Sequence, residues 1–515
     1  MKLLKKTLTV FVGTACVLSM ALTGCGDKGG NTPATTSPDT TAEAPAASEE
    51  PAEEVELEPV ELTWYFVGNG QQEDTEAIET AVNDYIAQNT KLNCTIKMQC
   101  YDWGAYNDKV TQMIAAGEKF DICFTANWVN NYYTQAAKGA FVPMNDLFDK
   151  YAPKTKELLG EDFLKGSQIN GINYAIPANK EKAHQWGLLI RSDIAEKYNM
   201  DFSNVKTLAD MEPFFQTVKD NEPGMYALEG TPQESAMRIL DFDVINNDTT
   251  PGAIYNDSKD FKVFNQVEQP ETIEHFKLMN SFMKKGFLRE DAASVSDYNA
   301  DQQAGKMFCA IRSLKPGKDA EESNSQGQPY LQIALTDPII SNRETTGSMQ
   351  AISATSENPE RAMMFLELVN TDPVVSNLIN FGIEGTHYTK VADNVIEGTA
   401  DQAKYNPGLT WAFGNQFLTY LTVLDAPDKW AQFEAFNAAG KPTQTLGFVF
   451  DPTPVTTQIA QCTNVWNEFI PGLQVGASNP DDAMPKAQEA FKAAGVDDII
   501  AEMQTQLDTW RGASN

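Results

Sequence analysis

The stretch that most constrains how this chain can fold is Gly171 to Asp193, GINYAIPANKEKAHQWGLLIRSD. Its pattern predicts a strand over Asn173 to Ile176, a polar passage through Lys182, a second strand over Trp186 to Ile190, and a helix starting near Ser192. Pro177 removes a ladder donor and Ala178 to Lys182 carries no apolar period, so the two strands are not expected to neighbour each other in one sheet. The chain is therefore expected to leave one α/β lobe for another here. Clefts between lobes are where ligands sit.

The segment upstream fits one such lobe. Leu62 to Val67 is a short apolar run typical of a buried strand, and a helix with Ile78, Val82 and Ile86 on one face follows. Cys94 to Tyr101 reads as a strand, Ala105 to Ala116 as a helix and Asp121 to Thr125 as a strand. This β-α-β-α-β order predicts right-handed crossovers and a parallel sheet. Ligands bind such sheets at the carboxyl ends of the strands, which places Asn69, Gln71, Asn127 and Trp128 among the candidates. Downstream, Asp210 to Val218, Thr272 to Lys285 and Arg361 to Asn370 read as helices, and Met307 to Ile311 and Leu331 to Leu335 as strands. Asp319 to Gly327 reads as a polar loop. A second crossing is expected near Phe381 to Thr389, and two amphipathic helices, Asp481 to Ala494 and Asp497 to Trp510, come last.

A length of 515 residues argues for more than one domain. The net charge of -32 disfavours nucleic acid, whose binding rests on phosphate neutralisation. Residues 1–24 carry Lys2, Lys5 and Lys6 ahead of an apolar run and read as a signal peptide. Leu22-Thr23-Gly24-Cys25 resembles a bacterial lipobox, which makes Cys25 the expected lipidation site. Residues 25–58 read as an acidic linker, too polar to bury a core and with a mean reach on the order of 30 Å. Cys94, Cys100, Cys123, Cys309 and Cys462 show no CxxC spacing, and one bridge among the first three stays open.

A sugar cleft needs aromatic platforms together with amides and carboxylates for paired hydrogen bonds. Trp128 lies at a strand end with Asn127 and Tyr132, and Trp186 lies on the crossing with Glu181 and Gln185. Glu384 and His387 lie in GIEGTHY on the second expected crossing, and Trp411 precedes Asn415 in LTWAFGNQF. Three of these have a purely structural alternative: a rim aromatic for Trp128, a core tryptophan for Trp186, a hinge brace for His387. Trp430, Trp466 and Trp510 sit among apolar neighbours and read as core. His184, His275 and His387 are too scattered to support a metal site or a Ser-His-Asp triad, and no GxSxG or P-loop occurs. Asp241-Phe-Asp243 begins like a calcium loop, but Ile245 and Asn246 stand where an oxygen ligand and a glycine belong. A glycosidase carboxylate pair stays open, since its members need not be close in sequence.

Taken in order, the lipobox, DWGAYNDKVTQMIAAGEKFDICFTANW, the YAIP crossing into LLIRSD, and NPERAMMFLELVNTDP leading to FGIEGTHY resemble the extracellular solute-binding proteins of ABC importers, in the broad oligosaccharide-binding family. The end, GFVFDPTPV followed by FKAAGVDDIIAEMQTQLDTW, resembles the C-terminal domain of a Gram-positive lipoprotein subgroup. The resemblance implies an α/β, two-lobe, periplasmic-binding-protein-like clamshell with a hinge and a helical C-terminal extension. It assigns 59–179 plus 340–383 to lobe 1 and 184–336 plus 388–515 to lobe 2, with the C-terminal helices free to pack on either. It implies no catalysis and no cofactor. The expected partners are an oligosaccharide, the transmembrane subunits of a permease and, through the lipid on Cys25, the outer face of the cytoplasmic membrane; the chain is expected to act as a monomer. A peptide or another polar solute, or a surface glycoside hydrolase, are the alternatives.

Overall fold

The apolar run at the start of the folded body becomes strand β1 (Val60–Gly68), which is largely buried over its second half, as a central strand of a parallel sheet must be. Helix α1 (Thr75–Asn89) turns Ile78, Val82 and Ile86 inward, and β2 (Cys94–Asp102) follows. Helix α2 (Tyr106–Ala116) ends on Gly117, whose φ of 66° lies in the left-handed region that closes helices. Strand β3 (Ile122–Thr125) then pairs parallel to β1, as does β2. The structure, a computed structural model, describes residues 57–230, 236–295 and 298–514. The expected leader over 1–24, the expected lipidation site Cys25 and the expected linker as far as residue 56 lie outside the described residues.

The chain then crosses. Strand β4 (Ile176–Pro177) and strand β5 (Gln185–Arg191) fall in different sheets, as the proline and the polar passage between them require. The second sheet is built from β5, β6 (Tyr226–Leu228), β7 (Met307–Leu314) and β8 (Tyr330–Ala334), in the order β8-β5-β7-β6. Helix α3 (Pro270–Lys284) covers it. The chain returns as β9 (Met349–Ile352), which pairs antiparallel to both β3 and β4, completing a first sheet of order β2-β1-β3-β9-β4. The first sheet is thus parallel only over its first three strands; β9 arrives from the other lobe and needs no crossover helix.

The hinge is made where the crossings meet. His184 N and O bond Ile339 O and N at 2.9 and 2.8 Å, and Ile339–Ile340 pair in parallel with Lys441–Pro442. This corrects the expected second crossing near Phe381 to Thr389. Val375, Ile379, Tyr405, Leu409, Ala412 and Phe413 all pack into the core of the first lobe with Trp64, Phe66 and α4 (Pro359–Thr371), so the chain stays there well beyond residue 388. It passes to the second lobe only around 440–448, where Phe448 joins a different core.

Three helices end the described chain: α5 (Thr456–Gln474), α6 (Pro480–Ala493) and α7 (Val496–Ser514). Cys462, Ile470, Leu473, Phe491, Ile499, Met503 and Leu507 pack against Phe276 of α3, while Met279 and Phe282 of the same helix enter the core under the second sheet. The C-terminal helices therefore belong to the second lobe. Residues 319–327, read as a loop, form most of a helix, Lys318–Gln326. It has no apolar stripe to betray it, and it is bordered by Gly317 and Gly327 in left-handed conformation and braced by Lys318 on Glu321 and Glu322. Cys94, Cys100 and Cys123 are all free thiols, so no bridge forms among them. No helix among the described residues is long and apolar enough to cross a membrane.

Candidate functional site

The carboxyl ends of β1, β2 and β3 lie side by side, and each is followed by a short turn. After β2, Asp102 Oδ1 accepts the backbone N–H groups of Gly104 and Ala105, both at 3.0 Å, which fixes the turn that holds Trp103 out. After β3, the loop carrying Trp128 is pinned by Asn130, which is fully buried and donates to the Phe124 carbonyl at 2.9 Å. A third tryptophan, Trp411, comes from the segment laid over the sheet. Ser348 Oγ donates to the Trp411 carbonyl at 3.0 Å and Gln350 Nε2 to the Ala412 carbonyl at 2.8 Å. Gln350 is itself anchored, since its Oε1 accepts the indole N–H of the core residue Trp64 at 2.8 Å.

These three indoles meet. Ring centroids are 6.3 Å apart for Trp103 and Trp128, 6.4 Å for Trp103 and Trp411, and 6.3 Å for Trp128 and Trp411. Phe124, fully buried, contacts both Trp128 and Trp411 at 6.0 Å. Trp103 and Trp128 nevertheless remain 47% and 51% exposed, although each is among the largest apolar surfaces a residue can bury. Their N–H groups are already satisfied, Trp103 on Asn69 Oδ1 at 3.0 Å and Trp128 on the Gly347 carbonyl at 2.8 Å. What this platform offers a ligand is ring faces.

Of the candidates read from sequence, the structure brings Trp128, Trp411 and Asn69 together. Asn127 lies at the platform's edge, where its Nδ2 donates to the Arg343 carbonyl at 2.8 Å and ties the loop to the returning chain. Gln71 spends its amide on the backbone of β2, donating to Met98 O and accepting from Cys100 N. Tyr132 is fully buried, with its hydroxyl donating to the Ser167 carbonyl at 2.6 Å and accepting from Tyr174 N, which removes it from any ligand-facing set. Asn415 is likewise buried between Asn179 and the Asn370 carbonyl, bracing the first crossing. His387 is fully buried, accepts the Ile383 N–H and faces Asp74 at 3.1 Å; Glu384 is exposed and pairs with Lys390. Neither stands on a crossing, because the chain does not change lobes there.

The remaining candidates line the hinge and the second lobe. Glu181 sits between Lys180 at 2.8 Å and Lys315 at 3.6 Å; burial pushes its pKa up, but the two cations outweigh burial and hold it down to about 2. Gln185 donates to the Thr336 carbonyl at 3.1 Å. Trp186 is half-buried under the Arg238 guanidinium, 5.0 Å from the ring centroid. Arg238 pairs with Asp248, which also accepts Arg343 at 3.2 Å, so an ionic strip runs from Trp186 to the segment that holds Trp128. His184 stands 2.6 Å from Glu344, at the hinge bridge itself. Sequence reading passed over Trp103, Arg238 and Arg343. The carboxyl-end rule, applied to β2 as it was to β1 and β3, points to Trp103.

Comparison with known proteins gives this geometry a family. A family model described as bacterial extracellular solute-binding protein matches residues 80–407, and one described as a domain of unknown function matches 444–512, the span of the three last helices. A carbohydrate ABC transporter substrate-binding protein of Streptococcus pneumoniae is 26% identical over 428 residues, covering 81% of this chain and 85% of the relative. Among solved structures, the N-glycan transport solute binding protein of the same species superposes with a TM-score of 0.81 at 24% identity, over 89% of this chain and 100% of that one. An HMO-binding, ABC-transporter-associated solute-binding protein from Bifidobacterium longum infantis gives 0.60 at 15% identity, over 88% of this chain and 99% of that one. The first family model covers well over half of the chain, which thus belongs to the bacterial extracellular solute-binding proteins.

Proposed function

We propose that the chain captures an oligosaccharide between its lobes and hands it to the transmembrane subunits of an ABC permease, held to the outer face of the membrane by a lipid on Cys25. The observation that carries this reading is the platform of Trp103, Trp128 and Trp411 at the carboxyl ends of a parallel sheet beside the hinge, with Trp103 and Trp128 half exposed and Trp411 partly buried beneath them. A pyranose has one apolar face per ring, and an aromatic face is its complement. The relatives named above are described as carbohydrate, N-glycan and HMO binders, which supports the same class of ligand.

The mechanism is a population shift. On this reading a sugar on the platform gains contacts to the second lobe, where Arg238 covers Trp186, as the lobes close, and contacts made to both lobes at once favour closure. The strands at His184, Ile339–Ile340 and Lys441–Pro442 are short, and they form the bend about which the lobes turn. The closed form is the one a permease would select.

The test is a thermal-shift screen of the full chain against plant, host and microbial oligosaccharides, with chromatography of each mixture. A ligand at about 100 times its Kd adds roughly 2.7 kcal/mol, a visible shift. A shift with the sugar recovered intact supports the receptor. Cleaved sugar replaces it with a hydrolase, and silence across the panel redirects the search to peptides or other polar solutes.

A further inference from the structure

The two lobes also meet away from the strands that join them, at an ion pair between Arg343 and Asp248. Ile340 packs in the core of the first lobe, and the helix Asn342–Thr345 starts just after it, capped by Ser341, whose hydroxyl accepts the Arg343 N–H. The backbone of this segment carries the platform loop. Asn127 N donates to the Thr346 carbonyl at 2.9 Å, Asn127 Nδ2 to the Arg343 carbonyl at 2.8 Å, and the Trp128 indole to the Gly347 carbonyl at 2.8 Å. Fixed in this way to the first lobe, Arg343 places its Nη1 3.3 and 3.2 Å from the two carboxylate oxygens of Asp248.

Asp248 belongs to the second lobe. It sits in the turn between two antiparallel strands, Phe242–Val244 and Ala253–Tyr255, where Asn247 Oδ1 accepts the Thr249 N–H at 3.0 Å and the Thr250 hydroxyl at 3.1 Å. Ile254 of the second strand is fully buried in the core that the C-terminal helices complete. The same carboxylate pairs with Arg238, which covers Trp186. One arginine held by the platform loop thus grips one aspartate held by the opposite lobe, and parting the lobes on that side has to break the pair.

The side chain of Arg343 is 52% exposed and that of Asp248 40%, so the pair is solvated and open to screening, and it moves an equilibrium a few-fold rather than by orders of magnitude. Two lobe arrangements that differ by a small free energy are redistributed by a contact of that size. Resting on the reading that the lobes close on a ligand, we propose that the Asp248–Arg343 pair is an ionic latch between the lobes, which raises the share of the compact arrangement before a ligand arrives and loosens as salt rises. A receptor already biased toward closure leaves less of the conformational change for its ligand to drive.

The experiment is small-angle X-ray scattering of the full chain with no sugar added, fitted as a mixture of compact and extended lobe arrangements. At low salt, Arg343→Ala is expected to lower the compact-to-extended ratio about threefold. Asp248→Asn should lower it as much and the double variant no further, since either change removes the same pair, and Arg343→Lys, which keeps the charge, should retain most of the wild-type ratio. Raising ionic strength from about 0.01 to about 1 M shortens the screening length from about 30 to about 3 Å, so the gap between the wild type and Arg343→Ala should close. Repulsion within a chain of net charge -32 is screened alike in both and does not enter that gap. Should Asp248→Asn fail to fold because Arg238 loses its partner, the two Arg343 variants and the salt series decide the matter. A ratio that Arg343→Ala leaves unchanged, losses that add in the double variant, or a gap that survives high salt overturns the latch and leaves hinged closure standing. A single arrangement that no variant and no salt moves overturns the latch and counts against hinged closure as well.

Discussion

Two aromatic clusters sit on opposite sides of one short segment. Phe413 points down to Trp64, Phe66 and the core, with centroid distances of 5.2 and 4.9 Å. Trp411, two residues earlier, joins Trp103 and Trp128 above. Both clusters are built from large rings on fixed backbone, yet the lower one is dry and the upper one half open. Water left against two indoles is free energy the fold forgoes, roughly 25 cal/mol for each Å² of apolar surface. The difference is the one the receptor reading expects between a structural tryptophan and one held for a ligand: the same anchoring, with the last layer missing.

The largest expected effect falls on the lower cluster. Trp64→Ala empties a site in contact with Phe66, Phe365 and Phe413 and strands the Gln350 amide that holds Ala412. A loss of about 3–5 kcal/mol is expected in urea unfolding, as for other buried large-to-small changes. A loss under about 1 kcal/mol would erase the contrast between the clusters.

A second measurement separates core stability from the platform by pH. His275, in the second lobe, is buried with its Nε2 unpaired, and burial pushes its pKa down to about 4. The unfolded chain takes up that proton near pH 6.5, so between about 6.5 and 4 the unfolded state binds more protons and stability falls with pH. About 2–3 kcal/mol of stability is expected to be lost by pH 4.5 through this group, and His275→Leu should remove that part of the slope. The three indoles carry no titrating group, so the affinity ratio between the wild type and Trp128→Ala should stay constant across the same range.

How much of this was legible in the sequence follows the same division. Period and punctuation carried the elements: Pro177 separated β4 from β5, and the stripe from Ile499 to Leu507 marked the last helix. The helix Lys318–Gln326 escaped because its stabilising contacts are ion pairs, which leave no apolar period. At the proposed site, strand-end logic pointed to Trp128 and Asn69, which the fold places at one aromatic platform. It did not separate Tyr132 from them, since one turn of helix decides whether a ring faces the core or the solvent. Nor did glycines in GIEGTHY mark a hinge: Gly382 has its φ at 80° packed against His387, a tight turn within one lobe. Lobe membership is set by which core a segment meets, and for residues 388–446 that depends on partners hundreds of positions away.

The contrast sharpens again on the upper cluster taken ring by ring. Trp128→Ala should change unfolding free energy by less than about 1 kcal/mol, because its ring is half exposed, while lowering affinity for a bound sugar about tenfold. Parallel urea and calorimetric titrations check this. A variant that loses stability and affinity together would make Trp128 a core residue whose exposure carries no function.

The smallest expected effect isolates orientation from contact. Asn69 Oδ1 accepts the Trp103 indole N–H at 3.0 Å, and both groups are exposed, so water can replace the bond at little cost in stability. Asn69→Ala should leave the unfolding midpoint unchanged and let the Trp103 ring turn on its χ angles. The sugar then has to order that ring on arrival, which costs about 0.5–1 kcal/mol and weakens binding about threefold. Asn69→Asp keeps the acceptor at the same reach and should bind as the wild type does. If alanine and aspartate weaken binding equally, Asn69 touches the ligand through its amide N–H; if neither does, the tilt of Trp103 is set by its neighbours Trp128 and Trp411 alone.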